Sequence, residues 1–179
     1  MELKEDKIRS NIDFKLTSLM ISIRDFIRPR ENVLKEVNIE PGFRVLDFGC
    51  GPGSYSVCAA RLVGRKGKIY AADIHPLAIE SVTKRAKRAG LNNIETIQTN
   101  CKTRLPDNCI DVVFLYDVFH GFGEPERFLK EFHRVLKPGG VLSFSDHHLK
   151  GEKIIQAVTG SSLFKLANSN KHTFSFKKS

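Results

Sequence analysis

Gly49, Gly51 and Gly53 stand at alternating positions in "VLDFGCGPGSYS", between an apolar run and a stretch that can continue as a helix. A helix opening straight after a glycine turn presents free backbone N–H groups, and the missing Cβ atoms let a ligand come into van der Waals contact with the chain. Asp73 ends the next apolar run, "KIYAAD", about 20 residues on, where a carboxylate can accept hydrogen bonds from both hydroxyls of a ribose. A tight turn with Asp73 capping a helix is the structural alternative. A second reactive set comes later: Asp117 and His120 follow "IDVVFLY", and Asp146, His147 and His148 follow "VLSFS". Imidazoles and carboxylates together can act as a general base or ligate a divalent cation, and each can equally serve a loop by bonding its backbone. His75 and His133 read as structural, the first opening a helix and the second lying within an amphipathic one.

Positioning these residues takes an alternation of strands and helices. "RVLDF" (44–48) has the continuous apolar run of a strand buried on both faces, and "SYSVCAARLV" (54–63) is the helix after it. "KIYAAD" (68–73) is the next strand, followed by a helix opened by Pro76 and closed by Gly90. "NIETIQTN" (93–100) and "IDVVFLY" (110–116) supply two more strands. The helix "EPERFLKEFHRVL" aligns Phe128, Leu129, Phe132, Val135 and Leu136 on one face, and "KPGG" turns the chain into "VLSFSD" (141–146). A helix over 151–159 and the runs "LFKLAN" and "HTFSFKK", a pair of strands joined by a tight turn, follow. Before the first strand, a helix over 14–27 (Leu16, Leu19, Met20, Ile23 and Ile27, stopped by Pro29) and the short helix "ENVLKEVNI" form an amino-terminal cap. Alternation with short connections implies parallel strands, right-handed crossovers and a Rossmann-like three-layer α/β/α sandwich, with ligands beyond the carboxyl ends of the strands. One domain over 1–179 is expected, with the helical cap in 1–40 and the α/β core in 41–179.

A hydrophobic fraction of 41% in 179 residues suffices for one sizeable core. No apolar stretch approaches the roughly 20 residues that span a bilayer, and "MELKEDKIRS" lacks the apolar run of a signal peptide, so a cytoplasmic protein without membrane partners is expected. Cys50, Cys58, Cys101 and Cys109 form no CxxC pair and read as reduced thiols. The net charge of +9 admits a nucleic-acid partner, but its distribution does not favour one. The densest cluster, "KRAKR", falls at a helix end where cations suit the dipole, the others ("RPR", "GRKGK", "FKKS") are dispersed, and aromatic residues do not interleave with them.

Two cofactors fit the glycine turn and Asp73: a nicotinamide dinucleotide and S-adenosylmethionine. The spacing is G-x-G-x-G rather than G-x-G-x-x-G, and Asp47, just before the turn, would repel a pyrophosphate while suiting a cationic ligand. Charge therefore favours S-adenosylmethionine. At these residues the chain resembles the class I S-adenosylmethionine-dependent methyltransferases: "VLDFGCGPG", "IYAADIHP", "TNCKTRLPDNCIDVVFLYDVFH" and "RVLKPGG" are similar to that family's motifs, in their order, over residues 33 to about 177. The small-molecule branch of ubiquinone and menaquinone type is the most similar. The resemblance implies a seven-stranded, mostly parallel sheet with an antiparallel last strand. It also implies that Gly49, Gly51 and Gly53 face the methionine part of the cofactor, with Asp47 ordering the loop or reaching the ammonium through water. Asp73 would hold the ribose, Ile74 would pack on the adenine, and Asn100 would accept from its amino group where the family most often has Asp. Cys50 belongs to the same loop, Cys101 would offer its backbone N–H to the ring, and Tyr116 would line the path from donor to acceptor.

Methyl transfer from a sulfonium is an in-line displacement promoted by alignment and exclusion of water, and a base is needed only where the nucleophile holds its proton. The resemblance implies His120 as the leading base candidate, since the family often has a histidine there, with Asp117 and His147 beside it, and no metal is assigned. "YDVF" stands where enzymes that methylate exocyclic base amines have an "NPPY"-like tetrapeptide, and thiol chemistry would need paired cysteines or a catalytic "PC". No long insertion follows the fifth strand or separates the last two, which favours a small substrate, a second subunit or an extended polymer lying over an open site; a small-molecule acceptor is the first reading. A methyltransferase acting on RNA or protein, a cofactor-binding subunit without activity, and an NAD-dependent oxidoreductase are the alternatives; a monomer or homodimer is expected.

Overall fold

The computed structural model describes residues 10–27 and 30–179, with the side chains of Leu19 and of residues 21–27 outside the description. The expected roles of Leu19, Ile23, Ile27 and Pro29, and of the first nine residues, therefore lie outside the described residues. α1 (Asn11–Ile27) starts three residues earlier than its apolar spacing suggests, because Ser10 caps it: Asp13 N–H donates to Ser10 Oγ at 3.1 Å. α2 (Glu31–Leu34) and a 3-10 turn (Lys35–Val37) end where Asn38 turns left-handed, φ 52°.

β1 (Arg44–Phe48), α3 (Ser54–Val63), β2 (Lys68–Asp73), α4 (Pro76–Arg88), β3 (Ile94–Gln98), β4 (Ile110–Tyr116), α5 (Pro125–Val135), β5 (Leu136–Ser145), α6 (Gly151–Thr159), β6 (Phe164–Ser169) and β7 (Phe174–Lys178) follow. The sheet order is β3-β2-β1-β4-β5-β7-β6; β1 to β5 pair in parallel, and β7 runs antiparallel to both β5 and β6. "KPGG" is not a separate turn but belongs to the start of β5, where the pairing with β4 shifts from Ile110–Leu136 to Val112–Val141. Side chains of successive strand residues point to opposite faces, so the apolar runs divide between two cores. Val45, Ile69, Val112 and Phe114 pack with Ala59, Ala60 and Val63 of α3, and Leu46, Phe48, Val113 and Leu115 pack with Phe128, Phe132 and Val135 of α5. Glu36, in the 3-10 turn, accepts from His172 N–H at 3.1 Å and Thr173 Oγ1 at 2.9 Å, which fastens the amino-terminal helices to the β6–β7 connection. Winding reverses between β1 and β4, and the carboxyl ends of the strands there open into the main cavity.

Candidate active site

The glycine turn has a different reason at each position. Gly49, Gly51 and Gly53 all take positive φ, 75°, 51° and 88°. A Cβ on Gly49 would lie 2.6 Å from Val118 Cγ2 and one on Gly53 2.7 Å from Val82 Cγ2, whereas a Cβ on Gly51 would meet nothing within 4 Å. A side chain at Gly49 or Gly53 would therefore strike a neighbouring valine, and only at Gly51 would a Cβ project into open space. Gly49 and Cys50 N–H donate to Ala72 O at 2.8 and 3.1 Å, and Gly51 N–H donates to Asp73 Oδ2 at 2.9 Å. Asp73 Oδ1 accepts from His75 N–H at 2.8 Å, so this carboxylate ties two loops together while each oxygen keeps a lone pair for a ligand. Burial raises the Asp73 carboxyl above its ordinary value, against the N–H groups of His75 and Gly51. His75 caps α4, with Nδ1 accepting from Leu77 N–H at 3.1 Å, and stacks on Phe14 of α1 at 4.5 Å.

Asp47 lies beneath the turn, accepting from Ser56 Oγ at 2.5 Å. Burial pushes its carboxyl up to about 6, opposed by the Ser56 hydroxyl and reinforced by Asp73. Burial likewise raises the thiols of Cys50, Cys58 and Cys109, Cys58 to about 11, which leaves them protonated and poorly nucleophilic at neutral pH. Tyr116 is buried, its Oη 2.7 Å from Ser143 Oγ, and burial pushes the phenol well up.

At the ends of β4 and β5 the rim residues form two imidazole–carboxylate pairs. His120 Nδ1 lies 2.9 Å from Asp146 Oδ2 and 3.1 Å from Oδ1, and the His120 and His148 N–H groups bond the same buried carboxylate at 3.1 and 3.0 Å. His147 Nδ1 lies 2.7 Å from Asp117 Oδ1, where Asp117 takes a positive φ of 55°. The His148 ring sits between the other two imidazoles, 4.1 Å from His120 and 3.9 Å from His147. Asp117, Asp146 and His147 bring possible ligand atoms within 4.8 Å of one another. Both Asp146 oxygens already serve the donors just named, which an ion would have to displace.

One cavity of about 530 Å³ joins these features. Gly49, Cys50, Gly51, Asp73, Ile74 and Asn100 line one part of it, and Tyr116, Asp117, His120 and His147 another. Asp47, Gly53 and Cys101 lie behind the wall, and Cys101 N–H is spent on Thr99 Oγ1 at 3.1 Å rather than turned to the cavity. Sequence reading missed Phe14, Arg30, Tyr55 and Thr99, and the aromatic wall of Phe48, Phe122 and Phe128, whose last two rings stack at 3.7 Å. Phe14 and Arg30 come from the amino-terminal segment, which no local pattern ties to the carboxyl edge of the sheet.

A family model described as a methyltransferase domain matches residues 39–175. The chain belongs to the methyltransferase domain family. It is 32% identical over 137 residues to a demethylmenaquinone methyltransferase of Geobacillus kaustophilus, covering 76% of this chain and 58% of that protein. The corresponding enzyme of Listeria welshimeri is 28% identical over 151 residues, 81% of this chain and 64% of that one. The chain thus spans between half and two thirds of the length of such relatives. An S-adenosylmethionine-dependent methyltransferase from Aquifex aeolicus superposes with a TM-score of 0.74 at 28% identity, over 88% of this chain and 96% of that one. The cyclase SpnF shares the fold at 22% identity, with a TM-score of 0.69 over 79% of this chain and 57% of that one, so the class I methyltransferase fold by itself does not fix the reaction.

The residues of this methyltransferase-family cavity fit S-adenosylmethionine better than a dinucleotide. The N–H groups of Gly49, Cys50 and Gly51, which would cradle a pyrophosphate, are already bonded to Ala72 O and Asp73, and the carboxylates of Asp47 and Asp73 flank them. A ligand with hydroxyls and a positive charge meets acceptors there. A dianion would find those three N–H groups already engaged.

Proposed function

We propose that the protein is an S-adenosylmethionine-dependent methyltransferase acting on a small aromatic acceptor, with His120 as general base. The carrying observation is the single cavity that runs from Asp73 and Gly51 to His120, beside an aromatic wall. The cofactor supplies a methyl group on a sulfonium, which departs as a neutral thioether. Asp73 accepts from the ribose hydroxyls, and Ile74 and Asn100 flank the adenine. Phe48, Phe122 and Phe128 give the cavity an apolar aromatic wall that suits an aromatic acceptor and keeps water from the reacting centre. Asp146 holds His120 through Nδ1, which leaves Nε2 to take the proton of the attacking hydroxyl or carbon acid. The names of the curated relatives make demethylated quinols the first acceptors to test. No metal is required by this scheme, and activity is expected to survive a chelator.

Thermal unfolding with S-adenosylmethionine, S-adenosylhomocysteine or NAD tests the cofactor: at roughly 100 times the dissociation constant the true ligand adds about 2.7 kcal/mol. Stabilisation by NAD alone overturns the reading. With an acceptor found by methyl-transfer screening, His120→Ala is expected to lower turnover by about 10²- to 10⁴-fold with cofactor affinity unchanged. Loss of affinity along with turnover would assign His120 a structural role.

A further inference from the structure

Methyl transfer with His120 as base leaves a second imidazole in the cavity wall without a role. His147 lines the same cavity at its open end, its side chain 62% exposed. The ring is nevertheless held: Nδ1 lies 2.7 Å from Asp117 Oδ1, and the His147 N–H donates to that same oxygen at 3.1 Å. Asp117 reaches this position in left-handed backbone, φ 55°, a conformation that costs energy in residues other than glycine, and its N–H is fixed on Ser145 O at 2.8 Å. The pair repeats the arrangement of His120 on Asp146, and each pair ties the chain after β4 to the chain after β5. The His148 ring lies between the two, 4.1 Å from His120 and 3.9 Å from His147, so the outer imidazoles stand one ring apart.

An ionised carboxylate only accepts hydrogen bonds. In each pair the hydrogen is therefore assigned to Nδ1, and Nε2 of the neutral ring keeps its lone pair. A methyl acceptor thus meets two hydrogen-bond acceptors, which suit two hydroxyls and repel carbonyl oxygens. We infer that His147, positioned by Asp117, accepts a hydrogen bond from a second hydroxyl of the acceptor, and that the site thereby selects dihydroxyarenes over arenes with one hydroxyl. The inference rests on the aromatic acceptor and the His120 base proposed above. The second hydroxyl keeps its proton; its bond to His147 fixes the ring in the plane while His120 takes the proton of the first.

The test pairs truncation of the residue with truncation of the ligand. Under anaerobic conditions, 1,4-dihydroxynaphthalene and 1-naphthol are titrated into the S-adenosylhomocysteine complexes of wild type, His147→Ala, His147→Gln and Asp117→Asn. Wild type is expected to bind the diol about 3- to 10-fold more tightly than 1-naphthol. His147→Ala should weaken the diol by a similar factor, bind 1-naphthol as wild type does within about twofold, and no longer distinguish the two; His147→Gln, whose amide oxygen also accepts, should keep part of the preference. Asparagine tolerates left-handed backbone, so Asp117→Asn isolates the positioning role: in methyl transfer to the diol it should raise KM several-fold with kcat little changed. Equal losses for both ligands in His147→Ala, or an undiminished preference for the diol, would overturn the assignment. A wild-type preference that disappears on adding a chelator would also overturn it, by giving the second hydroxyl to a metal ion. Wild type that binds neither naphthol would overturn the aromatic-acceptor reading itself.

Discussion

Asp47 shows how one side chain can serve the site at a cost to the fold. Its folded carboxyl titrates at about 6 against an ordinary value of 3.8, so the folded state favours the proton. The stability it contributes is fully present below about pH 4 and is lost as pH rises through about 6, on the order of 3 kcal/mol in all. Asp47→Asn removes that loss. The unliganded variant is expected to melt above wild type at pH 7, with the advantage gone at pH 4, by thermal unfolding across that range. A cation bound above the turn favours ionised Asp47, so wild-type affinity for S-adenosylmethionine should climb between pH 5 and 7 while the variant's climbs less. A variant that is both less stable and equally avid would refute this role. The three glycines were legible as a turn needing left-handed backbone. Which of them faces a ligand was not, because Val118 and Val82, the neighbours that decide it, come from other loops and helices.

At the scale of elements, the loop after β3 that carries Thr99 and Asn100 is held by α5. Glu131, buried on an otherwise apolar face, accepts from Thr103 N–H at 2.8 Å and Thr103 Oγ1 at 2.6 Å, and Arg134 bonds it at 2.7 and 3.0 Å. Burial raises its carboxyl, but the Arg134 and Thr103 bonds outweigh this and leave it below its ordinary value. Its stabilisation is therefore present above the unfolded value, near 4.3, and is lost as pH falls through the folded one. Glu131→Ala is expected to cost about 2–3 kcal/mol at pH 7 and, by loosening Asn100, to weaken cofactor binding several-fold; denaturant unfolding and titration calorimetry measure both. Unchanged affinity despite lost stability would uncouple α5 from the site. The central strands and α3 to α6 could be read from their apolar pattern because each buries apolar residues, although β6 buries Phe164 alone. The start of β5 could not, since glycine and proline in "KPGG" signal a turn while cross-strand pairing with β4 draws those residues into the sheet.

Over the whole molecule, several basic groups among the described residues lie at the edge of the sheet opposite the cavity, although Arg30 lines the cavity and Arg85 reaches Ser54 beside it. A crossover helix runs back against its strands, so the basic last turn of α4 lies at the amino edge, as does Lys68 at the start of β2. β7 is antiparallel, which brings Lys177 beside Val141 at that same edge. A polyanion such as heparin is accordingly expected to bind weakly, with a steep salt dependence, and to leave the dissociation constant for S-adenosylmethionine within about twofold. Competition between the two would move the basic surface to the cavity. No helix among the described residues is long and apolar enough to cross a membrane.

The sequence alone determined the α/β alternation, the glycine turn and the acid that follows it, because each is a local pattern or a fixed spacing along the chain. Only the tertiary structure decided that His120 belongs to Asp146 and His147 to Asp117, that Asp47, Gly53 and Cys101 stand behind the cavity wall, and that Arg30 reaches it. Those pairings join residues up to 30 positions apart through strands β4 and β5, or across the amino-terminal segment, and depend on which strand ends lie side by side. Strand adjacency is set by burial of both faces of the sheet at once, a property of the packed chain that no single stretch of it carries.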